Sequence, residues 1–471
     1  MKKAWEYDYE LFCAAVPVKN RTDLIQWDNL LEGKLLEEAR QMLIAGRDWW
    51  NKPLPESKAP YSKMFGAISS MANMGYDVSE AEKLIPQVLA AIKDDRLIDV
   101  QILNARVFKA LVEAPKIPDH PYWSHTIYES FEQYREKAVL PEYPDYTLPA
   151  HDELFDRIHA GWLGEIIGSA LGTAVEGFKS SRLFEVFGEI DGYVKPPETM
   201  NDDITFELAL LCAFERKGYE ITSDDIGDQW VGLIPFAYTA EDVALRHMRN
   251  GIYPPVSGYL ANPYREMIGA AMRAAICGAI TPGRPALAAE LAWRDGRISH
   301  HNNGILAEVF NAVIVSLAYV ETDMREVLRK AIAAIPEDSE FYTVLDFARN
   351  ACETSADYRQ ALEKCEERYR MYNWVHAYYN MAAEVVALHF AGNNFARAMT
   401  ILMMAGQDND CTGGPIGHAY GAMLGMAGLD KRFTEPLQDR LDTYVRTMET
   451  QSITSLSERT VNAILLHWKN S

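Results

Sequence analysis

Met200-Asn-Asp-Asp-Ile-Thr205 sets two adjacent carboxylates between an amide and a hydroxyl, directly ahead of the apolar run Phe206, Leu208, Ala209, Leu210 and Leu211. Oxygen-bearing side chains at this density suit a hard cation better than a turn alone. Far downstream, Gln407-Asp-Asn-Asp-Cys-Thr-Gly-Gly414 forms a second cluster of the same kind. Each by itself is an ordinary turn or N-cap pattern. Brought together, Asp202, Asp203, Asp408 and Asp410 would repel one another unless cations sat between them or some held protons. Oxygen ligands favour Mg²⁺, Mn²⁺ or Ca²⁺ over zinc. Bridging carboxylates allow two such ions, which can orient a water and clamp a substrate oxygen.

Two glycine stripes are placed to join the clusters. Gly161, Gly164, Gly168 and Gly172 recur at three- and four-residue intervals, on one helix face. Gly413, Gly417, Gly421 and Gly425 recur at intervals of four. Each helical glycine costs about 1 kcal/mol against alanine, so close approach of another backbone must offset it. The two helices are therefore predicted to pack backbone to backbone, bringing Glu176 and residues 408–412 to one cleft.

The remaining elements read as helices. Residues 30–44, 79–92 and 98–112 carry three- and four-residue apolar periods, with Ser79 as an N-cap of the second. Aromatics are dense here (Trp5, Tyr7, Tyr9, Trp27, Trp49, Trp50), and Trp49-Trp50 reads as core or interdomain contact rather than a sugar platform. No chemistry is expected in residues 1–150. Pro141, Pro144 and Pro149 make a stiff connector, dividing a helical N-terminal region, 1–150, from a domain at 151–471. Beyond it, the run after Thr205 to Lys217 forms a helix closed by Gly218, and residues 262–275 form an apolar helix in which Arg273 is expected to pair with a carboxylate, anion binding being the alternative. Residues 285–295 and the segment up to Tyr319 are helical, separated by the polar loop 297–304, of a kind that binds ligands. His376 and Asn380, four apart, share a helix face. Residues 395–405 end at Gly406. With no strand repeat, the fold is all-α.

The chain has 471 residues, 48% of them hydrophobic and 24% charged, as in ordinary globular proteins. There is no stretch of about 18 uncharged apolar residues and no signal-peptide pattern, so a cytoplasmic location is expected. Six scattered cysteines argue against disulfides and against a cysteine zinc site. The net charge of −21 disfavours nucleic acid and anionic membrane as partners. It would also repel a phosphate-bearing substrate, so metal or arginine must reverse the field locally.

From about residue 155 to 428 the chain resembles the ADP-ribosylglycohydrolase family. The resemblance rests on 161–177, on Asn201-Asp202-Asp203 where the family has Thr-Asp-Asp-Thr, and on Asp408-Asn409-Asp410-Cys411-Thr412-Gly413 where it has Asp-Thr-Asp-Thr-Asn-Gly. A subgroup of larger bacterial members is more similar still, through Asn262-Pro-Tyr-Arg-Glu-Met-Ile-Gly, Ser299-His300 with Asn303-Gly304, and Val375-His376 with Asn380. The resemblance implies an orthogonal multi-helix domain, two divalent metals (Mg²⁺, with Mn²⁺ or Ca²⁺ as alternatives) and hydrolysis of a ribosyl C1″ bond. It implies Asn201, Asp202, Asp203, Asp408, Asp410 and Cys411 as the metal-ligating positions, and Glu176, Asp203 and Asp410 as the catalytic set. It puts His300, Asn303, Gly304, His376, Asn380 and Gly413 in contact with substrate. Three departures stand out: Cys411 is a soft group at a threonine ligand position, Ile204 replaces a threonine, and Ser169 stands where many relatives have Asp. Thr412 is an alternative ligand.

The leading expectation is a metal-dependent glycohydrolase acting on an ADP-ribosyl or related ribosyl or nucleoside substrate, free or attached to protein. A hydrolase of another small glycoside, with residues 1–150 capping the cleft, is the second. An inactive ligand-binding or structural member of the family is the third. Oligomeric state is not encoded in any motif.

Overall fold

The computed structural model describes residues 3–14 and 32–468; Trp27 lies outside them. Apolar periods become helices almost throughout, and the described strands are two short antiparallel pairs, Lys52–Pro53 with Pro60–Tyr61 and Arg440–Asp442 with Thr450–Ser452. The protein is all-α with a helical N-terminal region, as its periodicity predicts.

Helices Glu32–Asp48 and Leu97–Val112 lie close to the expected spans, and Lys63–Asn73 is a further helix that was not predicted. The 79–92 segment does not run through: Ser79–Glu82 is one short helix and Ile85–Lys93 a second. Pro86 has no N–H to continue the first ladder and suits the first turn of a new helix. Ser79 is inside its helix rather than capping it, and the Asp77 carboxylate takes the Ser79 N–H at 3.0 Å. Trp50 is buried, its indole N–H donating to Asn104 at 2.7 Å, and Trp49 meets Phe108 edge-on. The tryptophan pair is core. That core (Trp50, Met64, Val88, Val100, Val107) is completed by Ala240, Tyr264 and Met267 from beyond residue 150, so the N-terminal region is docked on the rest through apolar packing.

At the centre are the two glycine helices, His151–Gly172 and Asn409–Leu424. A Cβ built on Gly413 would fall 2.7 Å from the Gly168 carbonyl oxygen, and one on Gly417 or Gly421 would strike the backbone of Gly164 or Ala160. No side chain fits the seam, which is why glycine's helix penalty is tolerated. Helix Asn303–Ala318, buried along its whole length, and helix Phe395–Ala405, buried except at Ala396 and Arg397, pack against the second glycine helix, and Ile453–Trp468 packs on the first.

The expected helix over 262–275 is absent. Asn262 donates through one amide nitrogen to the carbonyls of Ala240, Gly258 and Ser299, tying three chain segments together. After it the backbone runs irregularly to a 3₁₀ turn, Ile268–Arg273, then the short helix Ala275–Ala279. Its apolar residues are buried on all sides, a pattern that periodicity misreads as helix. Arg273 pairs as predicted, with Asp295 at 2.5 Å and Glu241 at 2.9 Å, and donates to Ser299 at 3.0 Å.

Candidate metal centre

The glycine seam ends where the acids begin. Gly172, the last residue of the first glycine helix, lies so close to Asn409 and Asp410 that no Cβ could stand there. Beyond it the chain turns through Glu176, and the Gly177 N–H donates to the Gln407 carbonyl at 2.7 Å while the Gln407 N–H donates to the Phe178 carbonyl at 2.8 Å. These paired bonds clamp Glu176 beside Asp408. On its other side the Asp408 N–H donates to Asn380 Oδ1 at 3.2 Å. The helix Asp203–Lys217 completes the junction with Asp203 in its first turn, closed by Gly218 as expected.

Asp203 is buried and accepts three neutral donors: Ser169 Oγ at 2.8 Å, Asn201 Nδ2 at 3.3 Å and Cys411 Sγ at 3.3 Å. The serine that stands in place of an acid thus organises one. Ligand atoms of Glu176, Asp408 and Asp410 lie within 4.8 Å of one another, and so do those of Asp203, Asp410 and Cys411. Asp410 belongs to both sets. Asn201 Oδ1 and Asp410 Oδ1 are buried without a hydrogen-bond partner. Orphaned buried oxygens are costly, and a cation sharing them removes that cost.

Electrostatics agree. Burial first, then Asp410 and the adjoining acids, pushes Glu176, Asp203 and Asp408 well above the ordinary carboxylate range. Burial and then Asp410 push Asp202 up to about 7, and burial also raises Asp410. No Lys or Arg forms an ion pair with these five acids among the described residues. Without a cation the cluster must hold protons; a divalent ion relieves both burial and repulsion. Burial, then Asp203, raises the Cys411 thiol well above its usual range, so it stays protonated and donates to Asp203.

The profile of the ADP-ribosylglycohydrolase family matches residues 150–468. The chain belongs to the ADP-ribosylglycohydrolase family. No curated protein matches the sequence. Among solved structures, an ADP-ribosylglycohydrolase-related protein complex is similar at 22% identity and a TM-score of 0.47, over 66% of this chain and 99% of its own.

Within this ADP-ribosylglycohydrolase domain, the residues expected at the substrate have other partners. Gly413 is inside the glycine seam against Gly168. Gly304 lies against the Arg265 carbonyl and the His300 ring, where a side chain would not fit. Asn303 donates to Glu266 and Glu340, at 3.1 and 3.2 Å. His300 is buried with Nδ1 2.8 Å from Ser299 Oγ and 3.8 Å from Glu241, and burial holds it neutral. Glu241 bears in turn on Asp202, so His300 stands behind the acids. His376 does not share a helix face with Asn380: it precedes the helix Ala377–Ala391, accepting the Tyr378 N–H through Nδ1, and burial lowers it to about 3. Asn380 donates to the carbonyls of Trp374 and His376 while holding Asp408. Thr412 donates to the Asn409 carbonyl at 3.3 Å.

Other residues at the junction carried no signal in sequence. Tyr61, Tyr238 and Tyr444 all feel the Asp202 carboxylate, which raises each of them after burial does. Tyr61 comes from the region in which no chemistry was expected. Glu207, buried one turn below Asp203, was visible as a charge inside an otherwise apolar run.

Proposed function

We propose that this protein is a divalent-metal-dependent glycohydrolase that cleaves the C1″ bond of an ADP-ribosyl or related ribosyl substrate. The observation that carries it is the pair of ligand sets sharing Asp410, with orphaned oxygens on Asn201 and Asp410. Asn201, Asp202, Asp203, Asp408 and Asp410 would hold Mg²⁺ or a similar ion, with Cys411 adjoining. Bound ions would supply Lewis acidity and fixation of ribose hydroxyls.

The chain's own residues have definable tasks. Ser169, Asn201 and Cys411 fix the Asp203 carboxylate by three hydrogen bonds. Glu176, held by the Gly177–Gln407 clamp, is placed to orient a water and take its proton. The surrounding carboxylates favour the oxocarbenium-like charge that develops at C1″. Residues 151–471 are the catalytic domain, and 1–150 an accessory helical region.

The test is a panel of ADP-ribosylated peptide, ADP-ribosyl arginine and free ribosides, assayed with and without Mg²⁺ or Mn²⁺. Metal-dependent hydrolysis that is lost in Glu176→Gln is the expected result. No divalent ion binding by titration, or hydrolysis unaffected by chelator, would sink it.

A further inference from the structure

The hairpin formed by Lys52–Pro53 and Pro60–Tyr61 belongs to the N-terminal region, yet it lies on the metal centre. A Cβ on Gly177, the residue after Glu176, would fall 2.7 Å from Ala59 Cβ and 3.2 Å from Leu54 Cδ1. Within the hairpin the Leu54 N–H donates to the Ala59 carbonyl at 2.9 Å. Its turn is pinned on the far side by an ion pair between Glu56 and Lys195, a few residues ahead of Asn201. Its base runs into the packed N-terminal core: the Tyr264 hydroxyl donates to the Lys63 carbonyl at 3.2 Å, and Trp50 and Met64 are buried. The hairpin is therefore a fixed part of the fold.

Tyr61 ends this hairpin. Its ring meets Trp374 edge-on at 5.6 Å. Burial first, then Asp408, Asp202, Glu241 and Glu176, disfavours its phenolate. That hydroxyl makes no hydrogen bond among the described residues and Tyr61 is only partly buried, so the hydroxyl is open to a ligand. Tyr238, which also feels Asp202 and Glu176, stands at the same cleft and is 53% exposed. Glu176, Asn201 and Asp202 keep partial exposure, while Asp203, Asp408 and Asp410 are buried. The way in is thus a mouth flanked by aromatic rings, one of them supplied by the N-terminal region.

Resting on the glycohydrolase reading above, we infer that Tyr61 contacts the substrate, donating its hydroxyl to a ribosyl or leaving-group oxygen, and that the 52–61 hairpin walls the cleft so that it takes small free ribosides rather than ADP-ribosyl groups on folded proteins. The unpartnered hydroxyl supplies the donor. The packing of Ala59 on Gly177 and the Glu56–Lys195 pin hold the wall where a protein surface would have to approach. A neutral phenol also fits beside an acidic cluster, since it donates without adding charge.

The experiment uses the full chain with Mg²⁺. Wild type is assayed on small ribosides, ADP-ribosyl arginine among them, and on an ADP-ribosylated protein; Tyr61→Phe and Tyr61→Ala are assayed on the best small substrate. Product affinity and Mg²⁺ affinity are read by calorimetry. The expected result is turnover of a small riboside at least tenfold faster than release from protein. Tyr61→Phe should raise KM and weaken product binding about tenfold, equivalent to about 1.4 kcal/mol, with Mg²⁺ affinity unchanged. Equal KM and product affinity in wild type and Tyr61→Phe would overturn the role of Tyr61, and efficient release from folded protein would overturn the wall. Both results leave the glycohydrolase reading standing. Mg²⁺ binding with no riboside cleaved or product bound overturns that reading, and this inference with it.

Discussion

Two of the acidic clusters buried among the described residues are resolved in opposite ways. In one, Asp295 and Glu241 surround Arg273, whose guanidinium also lies 4.8 Å from the Trp230 ring centre; burial, then Asp295, pushes Glu308 well above the ordinary carboxylate range. The chain supplies its own cation there. In the other, Glu176, Asp202, Asp203, Asp408 and Asp410 meet with neutral donors only, and no arginine or lysine pairs with them among the described residues. Buried charge is stable only when compensated. The Arg273 cluster is compensated from within and is architecture. The candidate metal centre has no cation of its own among the described residues, and on the proposed reading its compensation would come from outside.

The largest effect should come from removing the residue shared by both ligand sets. Asp410→Ala is expected to lower activity at least about 100-fold, on the scale seen when metal-site geometry is lost, and to abolish the melting-temperature rise on adding Mg²⁺. Full activity or an intact Mg²⁺ response would break the comparison. Arg273→Ala should act in the other currency: a loss of about 3–5 kcal/mol of stability, as for a broken buried pair, which Mg²⁺ does not restore. Denaturant unfolding with and without Mg²⁺ distinguishes the two.

Next in size is the seam. Gly168→Val forces a side chain into backbone and should cost at least about 1–3 kcal/mol by overpacking. It should also weaken Mg²⁺ binding, because the same helices carry the acids; unchanged Mg²⁺ affinity in a folded variant would separate seam from site.

The pH dependence of the metal-free protein follows from the raised carboxylates. Their folded-state values lie above the unfolded ones, so the folded state binds more protons and stability falls as pH rises. For Asp202 the loss begins near the ordinary value of about 4 and runs through about 7. Protons and metal compete, so the stabilisation by saturating Mg²⁺ should grow across the same window. Melting curves from pH 4 to 8 check this, and a metal-free protein more stable at the alkaline end would contradict it. The smallest effect expected is from Cys411→Thr. A hard hydroxyl in place of the thiol should tighten Mg²⁺ binding several-fold, read by titration calorimetry; weaker binding would show the thiol to be the better partner for Asp203.

Much of this was legible in sequence because it depended on residue types that have few other uses. Glycines at helical spacing in two places, and acids just beyond each stripe, were enough to place Glu176 beside Asp408 and Asp410. Legibility failed where one side chain redirects the backbone. Asn262, by binding three carbonyls, replaces an apparent helix with a turn, and His376 caps a helix whose face it was expected to share. The histidines and asparagines of 300–380, expected at the substrate, also hold loops, yet His300 Nε2, Asn303 Oδ1 and His376 Nε2 are buried without a partner; a buried polar residue satisfying backbone looks the same in sequence as one awaiting a ligand. Tyr61 was invisible for a different reason: nothing in Pro60-Tyr61 marks it, and only the docking of the N-terminal region brings it to the acids.

The glycine seam joins a helix that begins at His151 to one that ends at Leu424. Pairings this distant along a chain form late, after nearer contacts have already closed most of the intervening loop. On the proposed reading, Asn201, Asp202 and Asp203 would meet Asp408 and Asp410 only once that pairing is made, and a divalent ion, finding its full ligand set only in the folded protein, would act chiefly by retarding unfolding rather than by hastening folding. Metal occupancy would then report that two helices from opposite ends of the domain have paired.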